Sequence, residues 1–123
     1  MSEISISPLG HTWLLDLDGT LLKQNGFKNG GDEFLPGALE FLRSIPEKDC
    51  IVFLTARENS YRRATEDFLN QHEIAYHHII FDLPNGERIM VNDIKNSGLK
   101  TAIAVNVNRD APVHIDFFID VSL

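Results

Sequence analysis

Short apolar runs separated by amphipathic stretches constrain this chain more than any other feature, because that rhythm belongs to a parallel sheet covered by helices on both faces. Trp13-Leu-Leu-Asp-Leu reads as a first strand, Ile51-Val-Phe-Leu as a second, His78-Ile-Ile-Phe as a third, Ile89-Met-Val as a fourth and Ala102-Ile-Ala-Val as a fifth. Ile115-Asp-Phe-Phe-Ile gives a sixth, and Ile4-Ser-Ile-Ser pairs at an edge or forms a tail. The runs are short and mostly apolar, as strands buried on both faces are. The expected fold is therefore α/β, a Rossmann-like three-layer sandwich around a mainly parallel sheet of five or six strands.

Two helical stripes support this order. Ala38, Phe41, Leu42 and Ile45 fall at i, i+3, i+4 and i+7 on a helix begun near Pro36 and stopped by Pro46. Tyr61, Ala64, Thr65 and Phe68 repeat the spacing within a stretch from Glu58 to about His72, whose Arg62, Arg63, Glu66 and Asp67 make a solvated face. The segment Lys23-Gln-Asn-Gly-Phe-Lys-Asn-Gly-Gly-Asp32 is polar and turn-prone, a loop or small hairpin over one end of the sheet.

At 123 residues, with 43% hydrophobic and 24% charged side chains, the chain reads as one globular domain spanning 1–123. The lone Cys50 cannot form an internal disulfide, and the amino-terminal residues lack the basic start and apolar block of a signal peptide, so a cytoplasmic setting is expected. A net charge of −7 disfavours nucleic acid as a partner, and no apolar stretch approaches the ~18 residues of a membrane span.

The chemistry is concentrated in Asp16-Leu17-Asp18-Gly19-Thr20, which leaves the first strand at the carboxyl edge of the sheet, where open α/β sheets bind ligands. Two carboxylates one residue apart, followed by a glycine that permits a sharp turn, suit a hard divalent cation and a nucleophile aimed at an electrophile. A polar Asx turn is the plain alternative. Thr55 ends the second strand and Asn92-Asp93 the fourth, so a hydroxyl and a further carboxylate converge on the same rim if these strands are neighbours.

These residues resemble the haloacid dehalogenase superfamily of phosphohydrolases, through Asp16 to Thr20, Phe53-Leu54-Thr55-Ala56-Arg57 and Met90-Val91-Asn92-Asp93. The resemblance implies an Mg²⁺-dependent phosphatase in which Asp16 is the nucleophile and forms an aspartyl-phosphate, while Asp18 protonates the leaving oxygen and later deprotonates water. It further implies Mg²⁺ on Asp16, the Asp18 main-chain carbonyl and Asp93, and the phosphoryl group on Thr55 beside Gly19 and Thr20. The family's basic residue is harder to place, since no lysine occurs between Lys48 and Lys95. Arg88, five residues before Asp93 in the fourth strand, would stand roughly 16 Å away at the opposite end of the sheet. Lys95 is the better-placed cation, with Arg57 in reserve.

Neither gap in which relatives carry a cap, about 21–35 and 82–88, can hold a domain. The resemblance is thus to the capless branch, which implies a small phosphorylated substrate such as a phosphosugar, a flap at about 21–35 and a homo-oligomer that covers the open site. A receiver domain with a phospho-acceptor aspartate shares the size and rhythm, but it would carry that residue after the third strand. A non-catalytic phosphate- or partner-binding relative would more often lack one of the two acids, and here both Asp16 and Asp18 are present.

Overall fold

The computed structural model describes residues 2–123 and shows an α/β fold. Strand β1 spans Ser2–Ile6 and β2 Thr12–Asp16; helix α1 (Ala38–Ser44) leads to β3 (Cys50–Leu54), and α2 (Arg62–Gln71) to β4 (His78–Ile80). The last strand, β5, is Ile115–Ile119. Strands β2, β3 and β4 form a parallel three-stranded sheet in that order, and β1 pairs in parallel with β5 in a second, two-stranded sheet.

The five- or six-stranded sandwich is not formed. Ile89-Met-Val and Ala102-Ile-Ala-Val belong to no strand; they lie on an arm that is exposed from Pro84 to Asn108 apart from the half-buried Leu99 and Thr101. The register explains the missing layer. Trp13 and Leu15 share one face with Ile51, Phe53 and Ile79, and this face packs in one core with Ala38, Phe41 and Leu42 of α1 and Leu69 of α2. The opposite face carries Leu14, Val52, Leu54 and Ile80, and among the described residues no helix covers it, so the expected helices on both faces become helices on one. Leu14 stays 42% exposed and Ile80 46%.

Local chemistry sets the helix limits. Gly37 precedes α1 at φ 86°, a left-handed conformation that side chains resist, and an added Cβ there would lie 2.5 Å from the Val113 carbonyl oxygen. Val113 N–H donates to the Pro36 carbonyl at 2.7 Å, so the glycine lets the returning carboxyl-terminal segment pass against the start of the helix. In α2 the buried positions are Thr65 and Leu69, with Phe68 half-buried and Ala64 exposed; the stripe is rotated by one residue from that read in the sequence. The segment 21–35 is a small hairpin: Leu35 N–H donates to Leu21 O and Lys23 N–H to Glu33 O, both at 2.9 Å, while Leu21 and Leu22 anchor it in the core.

Candidate functional site

Asp16 is the last residue of β2, and the chain turns at once beyond it. Leu21 and Leu22 both donate to the Leu17 carbonyl at 2.9 Å, and Gly19 N–H donates to Leu22 O at 2.7 Å. Gly19 takes φ 83°, and a Cβ there would come within 2.9 Å of Arg109 Cγ and 3.0 Å of Gln24 Oε1. This turn aims both carboxylates into a cavity of about 410 Å³ at the carboxyl edge of the sheet, which Gln24, Phe27, Arg57 and Arg88 also line. Gly19 and Thr20 border a second, adjoining space of about 210 Å³ with Asp16, Asp18, Val107 and Arg109.

Each oxygen of Asp16 has a partner. Thr20 Oγ1 donates to Oδ2 at 2.7 Å, and Arg88 Nη1 donates to Oδ1 at 2.8 Å. Asp18 is held by both arms of a guanidinium, with Arg57 Nε donating to Oδ2 at 3.0 Å and Nη2 to Oδ1 at 2.9 Å. Arg57 is 4% exposed. It also forks onto Asp32, at 3.0 and 2.7 Å, and donates to Thr65 Oγ1 at 2.8 Å. All five of its N–H groups are thereby engaged. Burial opposes the charge on Arg57, but the hydrogen bonds and charges of Asp18 and Asp32 outweigh it and hold the guanidinium more firmly protonated than usual. Its flat face lies 4.1 Å from the Phe27 ring centroid.

Arg57, expected as a reserve phosphate ligand, lines the cavity but has every guanidinium N–H committed to Asp18, Asp32 and Thr65. Thr55 does sit at the carboxyl end of β3, yet it is buried and its Oγ1 accepts the Arg57 N–H at 3.0 Å; it lines neither cavity. Asp93 and Lys95 stand on the exposed arm, where the Asp93 carbonyl accepts from Thr101 and Lys95 N–H donates to Leu99 O at 2.9 Å. Neither lines either cavity. Arg88, set aside on a strand length, is the residue that reaches Asp16, because no strand separates it from the rim. No sequence signal marks Asp32 or Arg109: Asp32 lies in a turn-prone stretch, and nothing in the sequence ties it to an arginine 25 residues on.

The expected metal set of Asp16, Asp18 and Asp93 is not assembled, and among the described residues no three His, Cys, Asp or Glu side chains are grouped to hold an ion. Of that set Asp16 and Asp18 border the cavity, and both oxygens of Asp16 are engaged by Thr20 and Arg88.

The charged lining of the larger cavity comprises Lys28, Arg57, Arg88 and Arg109 against Asp16, Asp18 and Glu58. With Asp32, which shares Arg57, the charges balance, and Lys28 and Arg109 are the lining cations not paired to Asp16, Asp18 or Asp32. Compared with models of known families, with curated proteins and with solved structures, the chain shows no match.

Proposed function

We propose that the chain is a phosphohydrolase acting in the cytoplasm on a small phosphate monoester, a phosphosugar by preference, through an aspartyl-phosphate at Asp16. The observation that carries this reading is the pair Asp16 and Asp18 at the mouth of β2, inside a recess whose other charged groups are mainly cationic. A cavity of about 410 Å³ is of the size that takes small ligands. The resemblance of Asp16 to Thr20 to the haloacid dehalogenase phosphohydrolases supports the division of labour between the two acids.

In the proposed reaction the substrate phosphate draws Arg88 from Asp16, freeing Oδ1 to attack phosphorus. The bond from phosphorus to the ester oxygen breaks as the Asp16 oxygen bonds to it; one oxygen of Asp18, released from Arg57, carries the proton that passes to the departing alkoxide. Asp18 then takes a proton from water; the hydroxide attacks phosphorus, releasing inorganic phosphate and restoring Asp16. Arg57 positions Asp18 through the oxygen it keeps. Mg²⁺ on the Asp16 carboxylate and the Asp18 main-chain carbonyl would neutralise charge between carboxylate and phosphate.

The test is hydrolysis of a panel of phosphate monoesters with Mg²⁺ by the purified chain. Turnover is expected for at least one phosphosugar, with Asp16→Asn abolishing it. A folded protein inert across the panel, or an Asp16→Asn variant as active as the parent, would refute the proposal.

A further inference from the structure

Two cations at the cavity of Asp16 and Asp18 take no part in the ion pairs that hold it together. Arg88 engages Asp16, and Arg57 engages Asp18 and Asp32. Lys28 and Arg109 line the same space of about 410 Å³ and, among the described residues, form no ion pair. Separate segments bring them there. Lys28 ends the one-turn 3-10 helix Gly26–Lys28 of the hairpin, its Nζ 5.4 Å from the Phe27 ring centroid. Arg109 arrives with the chain returning from the arm, which is fastened by Asp110: its N–H donates to Gly19 O at 2.9 Å, and its Oδ1 accepts the Gln24 N–H at 2.8 Å. The stem of Arg109 thereby passes over Gly19, whose missing side chain leaves room for it.

We propose that Lys28 and Arg109 form a second anion site, so that the ester cleaved at Asp16 is a phosphorylated polyol carrying a further acidic group, a carboxylate or a second phosphate. This rests on the reading of Asp16 as the nucleophile and narrows its substrate. Charge selects an anion. Glu58 is the remaining acid on the cavity wall, so two unpaired cations face one carboxylate and leave one positive charge for the ligand. The scissile phosphate already has a cation, since Arg88 Nη1 lies 2.8 Å from Asp16 Oδ1, where attack begins. A guanidinium fork and an ammonium suit the several oxygens of a carboxylate or phosphate. Gln24, Asn25 and Asn85 line the same wall and offer amide donors and acceptors to the hydroxyl groups between the two anionic ends.

Two matched pairs of esters test this. 6-Phosphogluconate adds a carboxylate relative to glucose 6-phosphate, and fructose 1,6-bisphosphate adds a phosphate relative to fructose 6-phosphate. The second group is expected to raise kcat/KM about tenfold, the scale of one charge-assisted hydrogen bond, and the pair that shows the gain identifies the group. In Lys28→Gln combined with Arg109→Gln, which keeps a methylene stem over Gly19, the ratio within that pair should fall to near one. In Arg63→Ala, which removes an exposed charge that lines neither cavity, it should persist. Ratios near one in the parent would overturn the proposal. A double variant that loses both members of a pair equally would overturn it too, by assigning the cations to the scissile phosphate. Calorimetric binding to the Asp16→Asn protein needs no turnover and should show the same tenfold preference, lost with the two glutamines. Preference in binding without hydrolysis of any ester would uphold the anion site and remove the phosphohydrolase; hydrolysis without preference would do the reverse.

Discussion

Under the proposed reaction, Arg88 and Lys95 are the two candidates for the cation that would meet the phosphate. Arg88 Nη1 lies 2.8 Å from Asp16 Oδ1, whereas Lys95 lines neither cavity. Arg88→Ala is therefore expected to lower turnover by about 100-fold, the scale of one lost transition-state donor, and Lys95→Ala by less than about threefold. Steady-state kinetics on the best substrate decide it; the opposite ranking would return the role to Lys95. Arg57 predicts a different kind of loss. Its substitution by Ala strands Asp18 and Asp32, two carboxylates that share one buried guanidinium, and removing one member of such a cluster costs about 3–5 kcal/mol. Arg57→Lys should recover little, since an ammonium cannot fork onto two carboxylates. Denaturant melts read this cost without reference to activity. The turn that carries Asp16 and Asp18 to the cavity is legible in the sequence because Asp16-Leu-Asp-Gly-Thr follows an apolar run directly. Arg88 was misplaced by a distance that holds only along a strand, and Asp32 lay beyond any local pattern.

Among the elements, β2, β3, β4 and both helices follow from apolar spacing; each lies within a residue or two of its expected limits except α2, which starts at Arg62, four residues beyond Glu58. The same signal fails at Ile89-Met-Val and Ala102-Ile-Ala-Val. An apolar run specifies that a strand would be stable once paired; it does not specify the partner whose N–H and C=O groups complete the ladder. The pairing of β1 with β5 shows the converse, since Ile4-Ser-Ile-Ser carries a weak pattern yet finds Ile115–Ile119 in parallel register. The junction of α1 with the carboxyl-terminal segment rests on Gly37. Gly37→Ala adds a Cβ against the Val113 carbonyl at a positive φ, and a loss of about 2–3 kcal/mol is expected in equilibrium unfolding. Gly86, at which an added Cβ would meet nothing within 4 Å, is the control, and its change to Ala should be nearly neutral.

For the molecule as a whole, Asp49 ties the segment before β2 to the start of β3. It is 3% exposed; its Oδ2 accepts from Trp13 Nε1 at 2.9 Å and lies 2.8 Å from His11 Nδ1, and its Oδ1 accepts from the His11 backbone N–H at 3.0 Å. Burial pushes its carboxyl up, but the bonds from Trp13 and His11 and the charge of His11 prevail and hold it below the usual range. A depressed folded pKa contributes stability above the unfolded value of about 3.9, and that contribution is lost as pH falls through the folded one. Stability should therefore drop more steeply below about pH 4 in the parent than in Asp49→Asn, as measured by chemical unfolding across pH 3–6. Equal slopes would remove Asp49 from the acid response.

The buried core draws on residues 15–81 and on Val113, while the two termini meet only when β5 reaches β1. During synthesis the full set β2–α1–β3–α2–β4 is translated before the arm. The one-sided core can then close on a contiguous stretch with short connections, a low-entropy route. The parallel clasp of first strand to last waits for the final residues, so a stalled chain ending near residue 82 would hold most of its core and both acids while lacking Arg88 and the fastening at its ends.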